Sequence, residues 1–274
     1  MAAVLEVQDE ILADMVQQSA IDCSAAASDA AIYDPQFVKG VFDRRSNTYI
    51  AFSFICSFGF TERWRKQCVA CLNPSNQQNP AGYDLMSGTG EVWPHLWRRF
   101  PNVTHITAVD ISSGMHACAI NRMREYPAHK INFIEDNALA TALPADSADF
   151  LVSTFGLKTF NADQHQALAK LVAHVLKPGG AFSLIEASDP KGWVLRPLYL
   201  LHLRYVLPLI EKLFVHGAQD LSMISRYTVN FGDATAFAAM LRAEGLHVEV
   251  CKFFCGCVTG VHGRKPIANG INEP

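Results

Sequence analysis

Asp84, Gly88, Gly90 and Glu91 carry the chemistry of the stretch AGYDLMSGTGEVWPHL, residues 81–96. An apolar lead-in, two glycines one residue apart and a helix-like continuation form a loop whose backbone passes close to a nucleotide. A dinucleotide loop requires a third glycine so that helix and strand can approach, and Trp93 stands in that place. A Walker loop is excluded, because no Gly-Lys-Ser/Thr follows. Carboxylates before the loop and at its end would repel a pyrophosphate. They suit a nucleoside with a positive end, which makes S-adenosylmethionine the expected cofactor. Its sulfonium and ammonium attract carboxylates, its ribose can lie against glycine backbone, and a helix N-terminus tolerates its carboxylate. Asp110, twenty residues beyond Gly90, ends a second strand-like run and is placed to accept both ribose hydroxyls.

These residues need a scaffold, and the surrounding elements alternate. GYDLM is a short buried strand, followed by a helix from Glu91 to Phe100. HITAVD (105–110), INFIED (131–136), DFLVST (149–154) and AFSLIEA (181–187) read as further strands. A helix capped by Ser112 or Ser113 runs to Arg124, and another spans 163–176, stopped by Lys177-Pro178-Gly179-Gly180. This alternation predicts an α/β fold with a parallel sheet and helices on both faces. Upstream, residues 1–35 form an alanine-rich helix and loop, and Val38 to Leu72 one or two helices ending before the polar loop NPSNQQNPAG. Residues 193–215 are long and apolar but carry Arg196, Arg204 and Glu211, which predicts an inserted helical lid over the carboxyl end of the sheet. A helix over 233–244 and two strands, 246–254 and 257–262, close the chain as an edge hairpin. The expected division is a helical extension and cap (1–72), a main domain (73–264) with a helical insertion (190–218), and a tail (265–274).

Composition narrows the function classes. Hydrophobic residues make up 50% and charged residues 18%, a globular balance, and a net charge of −3 gives no reason to expect nucleic acid. The opening residues carry acids and lack a long apolar core, and no run of about 18 apolar residues exists, so a cytoplasmic protein without a membrane span is expected. Cys68 and Cys71 form a CxxC, and Cys255 and Cys257 a CxC, which is poor structural-zinc spacing. The expectation is free thiols and no metal.

With DLMSGTGE, HVLKPGG and LIEASDP in place, the chain resembles the class I S-adenosylmethionine-dependent methyltransferases. More narrowly, SFGFTERWRK, FGLKTF, YVLPLIEKLF and GVHGRK make it similar to the UbiE-type C-methyltransferases of ubiquinone and menaquinone biosynthesis, over Val38 to Arg264. The resemblance implies a Rossmann-like, mostly parallel seven-stranded sheet. It also implies a cofactor set: Asp84, Met86, Ser87, Gly88 and Gly90 at the first loop, Asp110 on the ribose, Ile111 and Met115 beside the adenine. Asp136 or Asn137 would meet the adenine amino group, followed by Ala138, and Thr154 would pass the sulfonium. Departures lie in the acceptor half. Tyr49 is followed by Ile50 where the family has Tyr-Asp, Ser53 and Phe54 replace its Asn and Asp, and Lys158 replaces its usual arginine.

The expected reaction is methyl transfer to carbon of an apolar small molecule, such as a prenylated quinone precursor or specialised metabolite, with an N- or O-methyltransferase or a non-catalytic cofactor-binding scaffold as the alternatives. Transfer to a phenolic ring carbon requires an in-line approach and a base for a proton. Tyr49 and Lys158 are the catalytic candidates. Lys158 is either a base or a charge holding a phenolate, and each has a plain alternative as packed tyrosine or solvated lysine. His202 and His262 are also near enough to be considered, with structural roles as their alternative. The expected partner is an apolar small-molecule acceptor, with a peripheral membrane contact and a homodimer as further expectations.

Overall fold

The computed structural model describes residues 31–209 and 222–267. The expectations for residues 1–30, for the lid beyond 209 and for most of the tail fall outside them. Helices α1 (Pro35–Cys56) and α2 (Phe60–Ala70) precede β1 (Ala81–Leu85), α3 (Trp93–Arg99), β2 (His105–Asp110), α4 (Ser113–Met123), β3 (Ile131–Glu135) and β4 (Ala148–Thr154). Then come α5 (Ala162–Val175), β5 (Leu176–Ala187), α6 (Arg196–Leu201), α7 (Ser222–Phe231), α8 (Thr235–Ala243), β6 (His247–Phe253) and β7 (Val258–Arg264).

The seven strands form one sheet in the order β3-β2-β1-β4-β5-β7-β6. The first five run parallel, and β7 is antiparallel to both its neighbours. Central strands are buried on both faces, which is why β4 reads ADFLVST with no polar alternation. Successive residues feed opposite cores. Leu151, Phe182 and Leu184 pack with Leu168, Val172 and Phe237 of α5 and α8. Phe150, Val152 and Ile185 pack on the other side with Trp64, Cys68, Trp93 and Leu96. Helix α2 therefore belongs to the same core as the sheet.

Local signals act as read, with small shifts. Ser112 caps α4 by accepting from the Met115 N–H at 3.1 Å. Asn161 and Gln164 form a capping box at the start of α5. The Lys-Pro-Gly-Gly run does follow the end of α5, but it lies within β5, whose pairing with β4 is irregular between Ala148 and Phe150. The expected strand 181–187 is thus the regular half of a longer one.

Reversal of strand order between β1 and β4 opens a crevice at the carboxyl ends of the parallel strands. Two elements cover it. Helix α1 is fastened over the β2–α4 junction: Lys39 Nζ donates to the Ile111 carbonyl at 3.0 Å, and Asp43 accepts from Ser112 Oγ at 2.6 Å and from the Gly114 N–H at 3.0 Å. The lid after β5 is anchored by a bidentate Arg196–Asp189 pair at 2.6 and 2.7 Å.

Candidate active site

The chain leaves β1 with Met86, Gly88 and Gly90 at φ of 52°, 55° and 72°, a left-handed path that lays the backbone along the crevice. Asp110 holds this path in place. Its two carboxylate oxygens accept from the Gly88 N–H at 2.7 Å and the Ser112 N–H at 2.9 Å. Each oxygen keeps a further lone pair for a ligand hydroxyl. Burial raises the Asp110 pKa, against the opposing pull of those two N–H groups.

A cleft with about 820 Å³ of empty space, part of it open to solvent, follows from this arrangement. Of the expected cofactor residues it is lined by Met86, Ser87, Gly88, Asp110, Ile111, Met115, Asn137, Ala138 and Thr154, with Tyr49 on its far wall. Three expected residues do not line it. Asp136 accepts from the Asn137 N–H at 2.7 Å and from Thr141 Oγ1 at 3.0 Å, while Asn137 lines the cavity and its Oδ1 accepts from the Leu139 N–H at 3.0 Å. Asp84, on β1, and Gly90, at the end of the loop, are absent from the lining.

Trp93 explains both. Its indole N–H donates to Asp84 Oδ2 at 2.8 Å, so the ring occupies the ground a third glycine would have left open. A Cβ on Gly90 would lie 2.3 Å from that ring, at a φ where L side chains are strained. Gly90→Ala is expected to destabilise the fold by about 2 kcal/mol or more, read as a lowered Tm by calorimetry. An unchanged Tm would show that the ring is free to move.

Asp84 is almost fully buried, its Oδ1 has no partner among the described residues, and burial raises its pKa to about 8. The folded state therefore holds a proton that the unfolded chain, near 3.8, has released. Stability of the unliganded protein should fall as pH rises from about 4 to about 8. Asp84→Asn should flatten that decline in denaturation curves taken across the range. An identical slope in the variant would remove Asp84 as its source.

Several cavity residues are not in the expected set. Phe42 and Phe160 supply apolar walls, and Gln164 reaches in from the start of α5. Phe155 has φ 69°, unusual for a bulky residue, and turns the chain so that Gly156 packs against Met86. Buried Glu91 lines the cavity and is held by Arg65 at 2.8 Å. Its position at the end of the glycine loop was the available signal.

A second cavity, with about 1220 Å³ of empty space that includes its opening to solvent, lies beyond a wall shared with the first: Phe42, Tyr49, Phe155 and Thr159 line both. It is built from α1, α2 and the lid, with Trp64, Tyr199, Leu203, Leu207 and Ile224 among its apolar surfaces. Lys158 lines it, but its Nζ is bound to Glu186 Oε1 and to the Phe155 carbonyl, both at 2.9 Å. Lys158 is thus neither a solvated nor an unengaged base. His202 also lines this cavity, beside the Phe58 ring. His262 lies on β7, 4.0 Å from Glu249, and lines neither cavity. Burial pushes the thiols of Cys251 and Cys257 up to about 12 and about 11, as expected of packed rather than reactive groups. Among the described residues no His/Cys/Asp/Glu cluster could hold a metal.

The residues around the first cavity fit the expected cofactor. Among the described residues, Ser87 Oγ is buried there without a partner, a Cβ on Gly88 would meet nothing within 4 Å, and Glu91 and Asp110 line the cavity with no Lys, Arg or His beside them in its lining. Fold and site together define a class I S-adenosylmethionine-dependent methyltransferase. The model of the ubiE/COQ5 methyltransferase family matches residues 30–265, and the chain belongs to that family. It is similar to the demethylmenaquinone methyltransferase of Bacillus licheniformis, 26% identical over 227 residues, 83% of this chain and 95% of the relative. Among solved structures, an S-adenosylmethionine-dependent methyltransferase from Thermotoga maritima aligns with a TM-score of 0.55 at 16% identity, over 83% of this chain and 99% of that one. Human N-acetylserotonin methyltransferase, solved with S-adenosylmethionine, aligns at 0.52 and 18% identity, over 82% of this chain and 59% of that one.

Proposed function

We propose that this enzyme methylates a ring carbon of an apolar, hydroxylated acceptor such as a prenylated quinol, with the acceptor lying in the second cavity. The observation that carries this reading is the shared wall. Tyr49 and Phe155 face both the cofactor cavity and a larger apolar one, so a reacting carbon can approach the cofactor in line. The similarity to demethylmenaquinone methyltransferases supports a quinol acceptor.

When bound, S-adenosylmethionine supplies an electrophilic methyl group. The chain supplies orientation and charge. Burial above all, and then the nearby Glu91 carboxylate, raise the Tyr49 pKa well beyond its usual value. Its hydroxyl therefore stays protonated and donates a hydrogen bond to an acceptor oxygen, rather than acting as a base. Among the described residues, the charged groups lining the second cavity are Arg45, Arg65 and Lys158, with Arg65 ion-paired to Glu91 and Lys158 to Glu186. Their N–H groups are donors for an acceptor hydroxyl, whose ionised form activates the neighbouring ring carbon. The ring carbon gains the methyl group, and its own proton passes through water to the ring oxygen that began ionised, which restores the aromatic ring.

The test is incubation of the protein with S-adenosylmethionine carrying a ¹³C methyl group and a short-chain prenylated naphthoquinol. A carbon-bound methyl resonance in the product is the expected result. A methoxy or N-methyl resonance, or no product despite cofactor binding, would contradict it.

A further inference from the structure

The lid is apolar on two sides. Residues 196–209 continue from α6 through a widened turn, and Tyr199, His202, Leu203 and Leu207 point into the second cavity. The opposite side presents Val194, Leu195, Leu198, Leu201, Tyr205 and Leu209 to solvent, with Val194 88% and Leu198 61% exposed. A helix that is apolar all round is buried by something on both sides. The exposed patch also reaches beyond the lid. Phe58, 77% exposed at the end of α1, lies 5.5 Å from the His202 ring, and half-exposed Phe254 lies 6.1 Å from Trp193. His202, which Phe58 meets, lines the second cavity, so the patch adjoins it.

Charge on the described part of the lid has one sign, and Glu211, beyond it, is the first acid after Asp189. Lys191, Arg196 and Arg204 are its only ionisable residues besides His202 between 191 and 209, Tyr199 and Tyr205 aside, and none is acidic. The carboxylate that pairs with Arg196 is Asp189, itself buried at the foot of the lid. The Arg204 guanidinium lies over the Tyr205 ring at 5.6 Å. Leucines, a tryptophan and tyrosines interleaved with basic residues are the composition of a segment that lies in a membrane interface. Among the described residues no helix is long and apolar enough to cross a membrane.

We propose that this outer face of the lid docks on an anionic lipid surface, placing the mouth of the acceptor cavity against the bilayer. A second copy fits the face less well, because a two-fold contact would set the basic stretch against itself. The purpose of docking, taking an apolar acceptor out of the lipid, rests on the proposed function, but binding to lipid does not depend on it.

Flotation of the full chain with vesicles separates the two. Phosphatidylcholine vesicles and vesicles of phosphatidylcholine and phosphatidylglycerol in equal parts would be compared, without acceptor or cofactor. Binding should favour the anionic vesicles and weaken with added salt. Val194→Asp combined with Leu198→Asp, neither of which lines a cavity, should reduce flotation about tenfold or more while leaving the circular dichroism spectrum unchanged. Arg204→Glu should erase most of the preference for anionic lipid, again by about tenfold. Failure to float with either vesicle, or flotation that survives the paired aspartates, would overturn the proposal. So would a dimer in sedimentation velocity that those aspartates dissociate, since the face would then belong to a second copy. Methyl transfer to a water-soluble acceptor that persists without flotation would leave the proposed function standing.

Discussion

Asp110→Ala is expected to weaken the binding of S-adenosylmethionine by about a hundredfold, because two charge-assisted hydrogen bonds at roughly 1.5 kcal/mol each are removed from the ligand. The loss has a second origin in the loop. Asp110 accepts from the Gly88 N–H at 2.7 Å and from the Ser112 N–H at 2.9 Å, and so keeps the glycine turn and the start of α4 in one register. Asp110→Asn separates the two parts. An amide oxygen can replace one accepted bond but cannot serve both N–H groups and the ribose hydroxyls. Titration calorimetry should therefore rank the affinities wild type, then Asn, then Ala. Undiminished affinity in the alanine variant would remove Asp110 from the ribose site.

Lys158→Met is expected to destabilise the protein by about 3–5 kcal/mol, the cost of leaving one member of a buried ion pair without its partner. Glu186 is fully buried, and its carboxylate is held by Lys158 Nζ, by the Lys158 N–H and by the Ala187 N–H at 2.9, 2.9 and 2.7 Å. The two backbone donors remain in the variant, but the compensating charge is lost. Adding Glu186→Gln removes the stranded charge while keeping an acceptor for those N–H groups, so the double variant should regain much of the stability. Chemical denaturation of the two variants checks this. A single variant as stable as wild type would show that Glu186 is not held by Lys158. The pair also bears on activity, since it fixes Phe155 through the lysine's bond to that residue's carbonyl.

The cofactor half was largely legible because its chemistry is local. A turn with backbone at positive φ needs glycine, and a strand that ends in aspartate puts a carboxylate at the crevice, so Gly88 and Asp110 are marked by type and spacing alone. Asn137 over Asp136 could not be decided from spacing. Both side chains fold back on the turn, Asp136 onto Thr141 and Asn137 onto the Leu139 N–H, and only the folded chain shows that Asn137 lines the cavity. Trp93 in place of a third glycine reads as a departure from a motif, while in the structure it is the partner of Asp84.

The acceptor half was less legible because it is assembled from distant segments. Tyr49 on α1, Arg65 on α2, Lys158 after β4 and Leu203 on the lid meet only once the sheet has placed them. Lys158 reads as a base or as a solvated side chain until Glu186, 28 residues away, is seen beside it. The same limit applies to the lid. Its apolar sequence predicts a cover for the sheet, but which residues face inward depends on how its proline-broken turns are wound.

A crystal structure with S-adenosylhomocysteine and a prenylated naphthoquinone tests the shared wall most directly. The cofactor sulfur is expected to face the wall formed by Tyr49 and Phe155, and the quinone ring to lie in the second cavity with a ring carbon next to that sulfur. A sulfur turned away from this wall, or a ring bound outside that cavity, would contradict it.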